Sequence, residues 1–377
     1  MLEVADIFRI YGKEYLDKFT AKMPPTHRSA MRDMINCRTA SMGGSWYECD
    51  GCGRRVYSYH SCKNRSCPKC HGKDTARWLK KRREELLPVG YFHLVFSLPE
   101  ELRPHVRSNQ QAMYTIIMRA AAKSIIKLAA DPHYVGGLVG VMAILHTWTR
   151  TMVYHPHVHC LVPAGGITPE GQWKPSRNNY LVPVKALSTI FRGMVRDFVA
   201  KELPELDIPP AVWKKPWVVF SKPPIDNPNP QMVLKYLSRY VHRIAIVNSR
   251  ILSIDGGKVT FKYQDNKTGQ WNTMTLAAEE FIRRFLQHVL PRGIHKVRYY
   301  GLWNPAHREK LKQVQLQLAK DKTQPAPQTG STLSIITDVV SMPLDQKVCP
   351  HCKKGVLKYK GVLLRQKTSM TQQTRPP

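Results

Sequence analysis

The sequence predicts an α+β fold with a mainly antiparallel sheet, preceded by a small module stapled by metal. Three observations carry this expectation. Helical and extended segments are mixed without the regular β-α-β alternation of a parallel sheet. Two apolar extended runs, LVGVMAILHTW at 138–148 and HPHVHCLVP at 155–163, follow each other closely enough to form a hairpin. Residues 37–71 are dense in Cys, Gly and Arg and poor in large apolar side chains, so they need a staple to fold. At 377 residues and 42% hydrophobic content, the chain has room for two or three domains with real cores.

The elements are read in order. Residues 4–36 form two short helices, with Ile7, Tyr11, Tyr15 and Phe19 recurring at helical spacing. A charged helix, DTARWLKKRREELL, spans 74–87, and HLVFSLP at 93–99 is a strand ending in Pro. Residues 109–130, rich in Ala, Met and Ile, make a long helix, and the hairpin follows. Another amphipathic helix covers 185–202, and WVVFS at 217–221 is a strand. After the loop PPIDNPNP, QMVLKYLSRYVHR at 231–243 reads as a helix. Short strands lie in IAIVNSRILSI, KVTFKYQ and WNTMTL, then a helix at 277–291 and a last strand, KVRYYGLW, at 296–303. From about 321 the text KTQPAPQTGST has linker composition and leads to VCPHCKKG and a polar tail. The expected domains are therefore 1–88, helical and zinc-binding; 89–318, the α+β body; and 319–377, a linker and tail with a CPHC knuckle.

Lys and Arg number 58 against 27 Asp and Glu, a formal net charge of +31 spread along the chain. A globular surface this basic is suited to a polyanion, with nucleic acid the leading partner. An anionic membrane surface is the competing partner, but no basic amphipathic helix or lipidation signal supports it. No apolar run is long enough to span a bilayer. The beginning, MLEVADIFRIYGKEYLDKF, carries acidic residues and a helical period and does not read as a signal peptide. A reducing cytoplasm is expected, so the nine cysteines are read as metal ligands before disulfides.

Cys49 and Cys52 form CDGC, and Cys67 and Cys70 form CPKC, with fourteen residues between the pairs. That arrangement suits one tetrahedral zinc. Cys37 and Cys62, with His60 and His71 nearby, are open to two readings: ligands of a second zinc, or small buried apolar residues. Arg54, Arg55, Lys63, Arg65 and Lys69 interleave with Tyr57 and Tyr59, a mixture suited to phosphate and base contact; Arg65 and Lys69 are the DNA-binding candidates of this module. Cys349 and Cys352 alone cannot complete a tetrahedral site. Either other ligands join them, such as His351, or the pair is only a turn.

In HPHVHC, His157 and His159 share one face of a strand, with Val158 and Cys160 on the other. Two converging imidazoles begin a divalent metal site. His146, at the end of the preceding strand, is the preferred third ligand, and His155 its competitor. His93 faces the sheet by alternation and is open to two readings: approach to the metal, or a core or hydrogen-bonded role, which is preferred. Downstream, Tyr236 and Tyr240 lie one helical turn apart beside Lys235, Arg239, His242 and Arg243. The phenols suit either a half-buried core or attack on a phosphodiester polarised by the metal. Lys235, Arg239 and Arg243 suit either phosphate neutralisation or a solvated face.

His-hydrophobic-His followed by Tyr-x-x-x-Tyr resembles the HUH endonucleases with two tyrosines. More closely, the chain resembles the transposases of the insertion sequence 91 family, over nearly everything from Cys37 to Trp303. The carrying stretches are CRTASMGG, YECDGCG, YHSCKNRSCPKC, HLVFSLPEELR, LHTWTRTMVYHPHVHCLVPAGG, WVVFSKPP, LKYLSRYVHRIAIVNSRI and EEFIRRFLQHVLPRGIHKVRYYGLW, in one order. The resemblance implies a zinc-binding N-terminal domain, a ferredoxin-like HUH palm and Mg²⁺- or Mn²⁺-dependent nicking of single-stranded DNA. It also implies rolling-circle-like transposition by a bacterial, nucleoid-associated protein. On this chain His157 and His159 match the metal ligands, and Tyr236 and Tyr240 the nucleophiles. The attacking tyrosine would keep the 5′-phosphate and free a 3′-hydroxyl. The spacing from His146 to His157 resembles the three-histidine arrangement of relaxases. Two departures stand out: HTWTR replaces the family's HTWGQ, and RSCPKCH its RHCPKCQ, where His71 would substitute for the family's histidine if that residue is a ligand. The competing functions are a replication initiator or relaxase, and a zinc-dependent DNA-binding regulator without catalysis.

Overall fold

The computed structural model describes residues 2–70, 78, 82, 84–177, 179–224, 241, 244–320 and 347–366. In chain order its main elements are α1 (Val4–Phe19), α2 (Pro25–Asn36), β1 (Gly44–Cys49), β2 (Arg55–Tyr59), β3 (Tyr91–Ser97) and α3 (Gln110–Ala129). They continue with β4 (Gly140–Trp148), β5 (Tyr154–Pro163), α4 (Val184–Glu202), β6 (Val219–Lys222), β7 (Ile251–Asp255) and β8 (Lys258–Gln264). The last are β9 (Trp271–Ala277), α5 (Ala278–Leu286), β10 (Val297–Gly301), α6 (Arg308–Lys320) and β11 (Leu357–Leu363).

These elements fall into two compact units. One holds the described residues up to 70, residues 246–289 and residues 347–366; the other holds the described residues from 78 to 245 and 290–320. This departs from the boundaries read at 88/89 and 318/319. Residues 246–289 pack with the N-terminal helices instead of the α+β body, and the CPHC segment joins the same unit. The physical reason is a shared apolar contact. Val4, Ile7, Phe8 and Tyr15 line one face of α1 at helical spacing and are buried. Phe8 meets Phe285 of α5 edge-to-face at 5.5 Å, and Phe281 meets Phe261 of β8 at 5.8 Å. The Val4 amide donates to Asn248 Oδ1 at 3.2 Å. That tie falls on a 3₁₀ turn, Asn248–Arg250, so the extended run expected across 244–254 becomes a strand only from Ile251.

The N-terminal unit carries two antiparallel three-stranded sheets, ordered β11-β1-β2 and β9-β8-β7. Helix α5 stops at Leu286, short of the expected 291; Pro291 disfavours helical backbone at the residue before it and cannot donate an amide. Glu279 and Glu280 lie in the first turn of α5, where acidic side chains offset the helix dipole, and Glu280 is tied to Arg283 and Arg284 at 2.6 Å each.

The second unit is built on a five-stranded sheet, ordered β10-β4-β5-β3-β6, with every neighbouring pair antiparallel. Its two faces differ because side chains alternate. Leu94 and Phe96 of β3, Ala143 and Leu145 of β4, and Val158 and Cys160 of β5 join a core with α3 and α4. Helix α3 is apolar over most of its surface, and its Met113, Ile116, Ile117, Ala120, Ala121 and Ile125 are all buried. The other face carries the histidines beside a second apolar cluster that includes Met142, Ile144, Leu161 and Trp303.

Closing β10 against β4 depends on one glycine. Gly301 has φ +60°, and a Cβ there would lie 2.0 Å from the Val139 carbonyl oxygen. No side chain fits such a site without moving backbone. Gly301→Ala is therefore expected to destabilise this unit by about 3 kcal/mol, read as a lowered melting temperature, with secondary structure retained at 25 °C.

Candidate metal centres and active site

The turn that begins β5 delivers its histidines to one face. Tyr154, Pro156, Val158 and Cys160 are buried, while His155, His157 and His159 alternate with them and are half-buried. The β4–β5 register sets His146 directly opposite His157. A register shift follows at once between His146 and Trp148, and it ends the regular ladder at the site. The ligand nitrogens of His146, His157 and His159 all lie within 4.8 Å of one another. Ring centroids are 5.5 Å apart for His146 and His157, 4.5 Å for His146 and His159, and 4.8 Å for His157 and His159. His155 is not in this group: its Nδ1 lies 3.2 Å from Arg103 Nη2.

Hydrogen bonds orient the three rings. His157 Nδ1 lies 2.7 Å from the His155 carbonyl, which can only accept, so Nδ1 carries the proton and Nε2 keeps its lone pair. His159 Nδ1 lies 2.9 Å from His93 Nε2, and the two rings are stacked. If His159 donates there, its Nε2 is likewise left as a lone pair. Burial, reinforced by the Lys222 charge, lowers the His93 pKa to about 4, so His93 is neutral near pH 7 and can accept that proton. The indole of Trp148 stacks on His146 at 4.7 Å, and Lys296 Nζ sits 5.0 Å from the indole centroid. Arg103, Trp148, Lys222 and Lys296 thus surround the histidines, and none was singled out from the sequence. The β3–β6 pairing of His93 with Lys222 and the cation on Trp148 are tertiary facts that one-dimensional spacing does not carry.

Tyr236, Tyr240, Lys235, Arg239 and Arg243 lie outside the described residues, as does His71. Val241, helical and buried, is described, and it packs with Met142, Ile144 and Leu161 on the histidine face.

In the N-terminal unit the cysteines form two groups of four: Cys37, Cys62, Cys67 and Cys70, and Cys49, Cys52, Cys349 and Cys352. The expected set Cys49, Cys52, Cys67 and Cys70 is therefore corrected, and so is the reading of Cys37 and Cys62 as a separate pair. The reason is the path of β2. It runs from the CDGC turn to the far end of the hairpin, and five extended residues span about 17 Å. The fourteen intervening residues are spent on that crossing, so the two knuckles sit at opposite ends. Cys37, at the end of α2, meets the chain there, where the Arg38 amide donates to the His60 carbonyl at 3.1 Å.

The first group fits zinc. Cys37 and Cys62 both lie 3.5 Å from Cys70, sulfur to sulfur. That is far beyond a disulfide bond and near the edge of about 3.8 Å expected for a tetrahedron with Zn–S of about 2.3 Å. Backbone amides of Cys62 and Asn64 point at the Cys37 and Cys62 sulfurs at 3.5 and 3.4 Å, which favours thiolates. The neighbouring Cys62 thiol, above all, lowers the Cys37 pKa to about 7. Lys69 is engaged in an ion pair with Glu3 at 2.5 Å and so is partly committed to the protein itself, while burial lowers the pKa of Arg65, the module's other DNA-binding candidate. The exposed face of β2 instead presents Arg55 over the Trp46 ring and the stacked pair Tyr57 and Tyr59. His351 is not a ligand of either group; its Nδ1 lies 3.3 Å from Arg54 Nη1.

Comparison with known proteins places two family profiles on the chain. One described as "Putative transposase" matches residues 140–311, and one described as "Transposase zinc-binding domain" matches residues 7–98. The "Putative transposase y4qJ" of Sinorhizobium fredii is 38% identical, the alignment covering 94% of this chain and 93% of the relative. The "Transposase for insertion sequence element IS801" of Pseudomonas savastanoi pv. phaseolicola is 29% identical over 71% of this chain and 68% of the relative. No solved structure matches the chain. Among the described residues, no helix is long and apolar enough to cross a membrane.

Proposed function

The chain belongs to the insertion sequence 91 family of transposases, and from that premise we propose that it cuts and rejoins single-stranded DNA through tyrosine nucleophiles beside a divalent metal. One observation carries the reading: three imidazoles from two adjacent strands converge on the sheet face opposite α3 and α4. In this reading the sheet is the palm of an HUH enzyme, and His146, His157 and His159 hold Mg²⁺ or Mn²⁺. When bound, that cation supplies Lewis acidity at a phosphate oxygen. The remaining work belongs to the chain. The His155 carbonyl and His93 fix the rotation of His157 and His159, and Trp148 shields His146. Arg103, Lys222 and Lys296 supply positive field for a polyanionic strand.

Tyr236 and Tyr240 are the proposed nucleophiles. The phenol oxygen bonds to phosphorus and gives up its proton to solvent. The bond from phosphorus to the 3′-oxygen breaks, and that oxygen leaves as a hydroxyl after taking a proton. The 5′-phosphate stays on tyrosine until a 3′-hydroxyl attacks it and reverses the exchange. A second tyrosine permits a second strand transfer in the same complex.

The test is nicking of labelled single-stranded oligonucleotides from both ends of the element that carries the gene. Site-specific cuts with an extendable 3′-hydroxyl, present with Mn²⁺ and absent with EDTA, are expected. Tight binding with no cut under any divalent metal would leave a zinc-dependent DNA-binding regulator in its place. A finer expectation concerns His93. His93→Leu removes the acceptor for His159 and should weaken Mn²⁺ binding by about 10–100-fold, while His93→Gln, which can still accept, should lose less. Titration of free Mn²⁺ by electron paramagnetic resonance separates the two.

A further inference from the structure

We propose that Cys49, Cys52, Cys349 and Cys352 form a second tetrahedral zinc site, split between the two ends of the chain, and that this zinc fastens β11 to the edge of β1. The inference is independent of the catalytic reading above. Neither family profile reaches Cys349 or Cys352, which lie beyond both matched ranges.

The geometry has three supports. Cys49 lies 3.6 Å from Cys352 and Cys52 lies 3.8 Å from Cys349, sulfur to sulfur, again tetrahedral edges and not disulfides. The amides of Gly51 and Gly355 each point at a sulfur of their own knuckle, Cys49 and Cys352, at 3.4 Å. The two knuckles also interlock through their backbones. The Val356 amide donates to Asp50 Oδ1 at 2.7 Å, and the Asp50 amide donates to the Val356 carbonyl at 3.1 Å. A Cβ on Gly355 would lie 2.5 Å from Cys49 Sγ and 2.7 Å from the Gly51 nitrogen, so only glycine lets the turns approach this closely.

The packing explains why metal is required. The core beneath β11 consists of Cys49, Cys349 and Leu357, with Tyr47, Val56 and Cys352 partly buried around it. Three of those six residues are the thiols themselves. The strand and the residue after it leave Tyr359, Val362 and Leu364 exposed by 51%, 64% and 83%. A segment that buries so little apolar surface does not repay the entropy of ordering it. A zinc bridging ligands about 300 residues apart closes a very long loop, which is where a metal clip is most effective.

Zinc is measured by inductively coupled plasma mass spectrometry on the purified full-length chain. Two zinc ions per chain are expected, falling to one in Cys349→Ser/Cys352→Ser and to one in Cys62→Ser/Cys67→Ser. Limited trypsin digestion of the first variant should release the segment after Lys347 at least ten-fold faster than from the wild type. Gly355→Ala keeps all four thiols and should still lose the second zinc and speed that release. Should the double-serine variant fail to fold, Co²⁺ loading of the wild type decides: thiolate-to-cobalt absorption growing to two equivalents supports the clasp. One equivalent in the wild type, or two zinc ions retained in Cys349→Ser/Cys352→Ser, would overturn it.

Discussion

His157→Ala is expected to reduce metal-dependent strand cleavage by about 10³-fold or more, with melting temperature and oligonucleotide affinity little changed. His157 faces His146 across the ladder and shares its strand face with His159. Its Nδ1 is spent on the His155 carbonyl, so truncation removes one proposed metal ligand and one half-buried ring but no core residue. The cost therefore falls on the chemistry and not on folding. DNA affinity is set mainly by the basic surface, which the substitution leaves intact. Single-turnover cleavage, a thermal melt and a filter-binding titration on the same preparation check the three parts together. A variant that cuts at the wild-type rate would remove His157 from the site.

Cys62→Ser/Cys67→Ser has the second large effect, on stability. Both thiols belong to the group at the far end of the β1–β2 hairpin, and Cys67 is buried. A structural zinc contributes about 10–16 kcal/mol in small modules, more than a segment with so few large apolar residues supplies by itself. Loss of two of four ligands should unfold residues 37–70. The expected readouts are rapid proteolysis there and loss of one zinc per chain. The sheet of the second unit should keep its own melting transition. A variant that stays folded and resists protease in this segment would show that hydrogen bonds such as Asn64 Nδ2 to Asp33 Oδ2, at 2.9 Å, hold the module without metal.

The convergence of His146, His157 and His159 was legible because strand alternation is local. HPHVHC announces which rings share a face, and the short connection to LVGVMAILHTW implies the hairpin that brings His146 across. The α1–α2 pair and the strand 258–264 were legible for the same reason: their periodicity lies within single elements. What failed was non-local. The spacing of CDGC and CPKC matches one zinc in sequence, but β2 carries the knuckles apart, and the partners of CDGC lie near the other end of the chain. The grouping of 246–289 with the N-terminal helices rests on contacts such as Phe8 with Phe285, which no periodicity encodes. Helix α6 was passed over because it is polar almost throughout, burying only Val314 and Leu318. Lys69 looked free to meet phosphate until its ion pair with Glu3, sixty-six residues earlier in the chain, was seen.

The most direct test of the account is the identity of the bond formed with DNA. Full-length protein is incubated with single-stranded oligonucleotides from the element's ends in Mn²⁺, denatured in SDS, and its adduct is digested and sequenced by mass spectrometry. The account predicts a 5′-phosphodiester on Tyr236 or Tyr240, formed only with metal and lost in Tyr236→Phe/Tyr240→Phe. An adduct that persists in that double variant, or cleavage by water with no adduct at all, would contradict it.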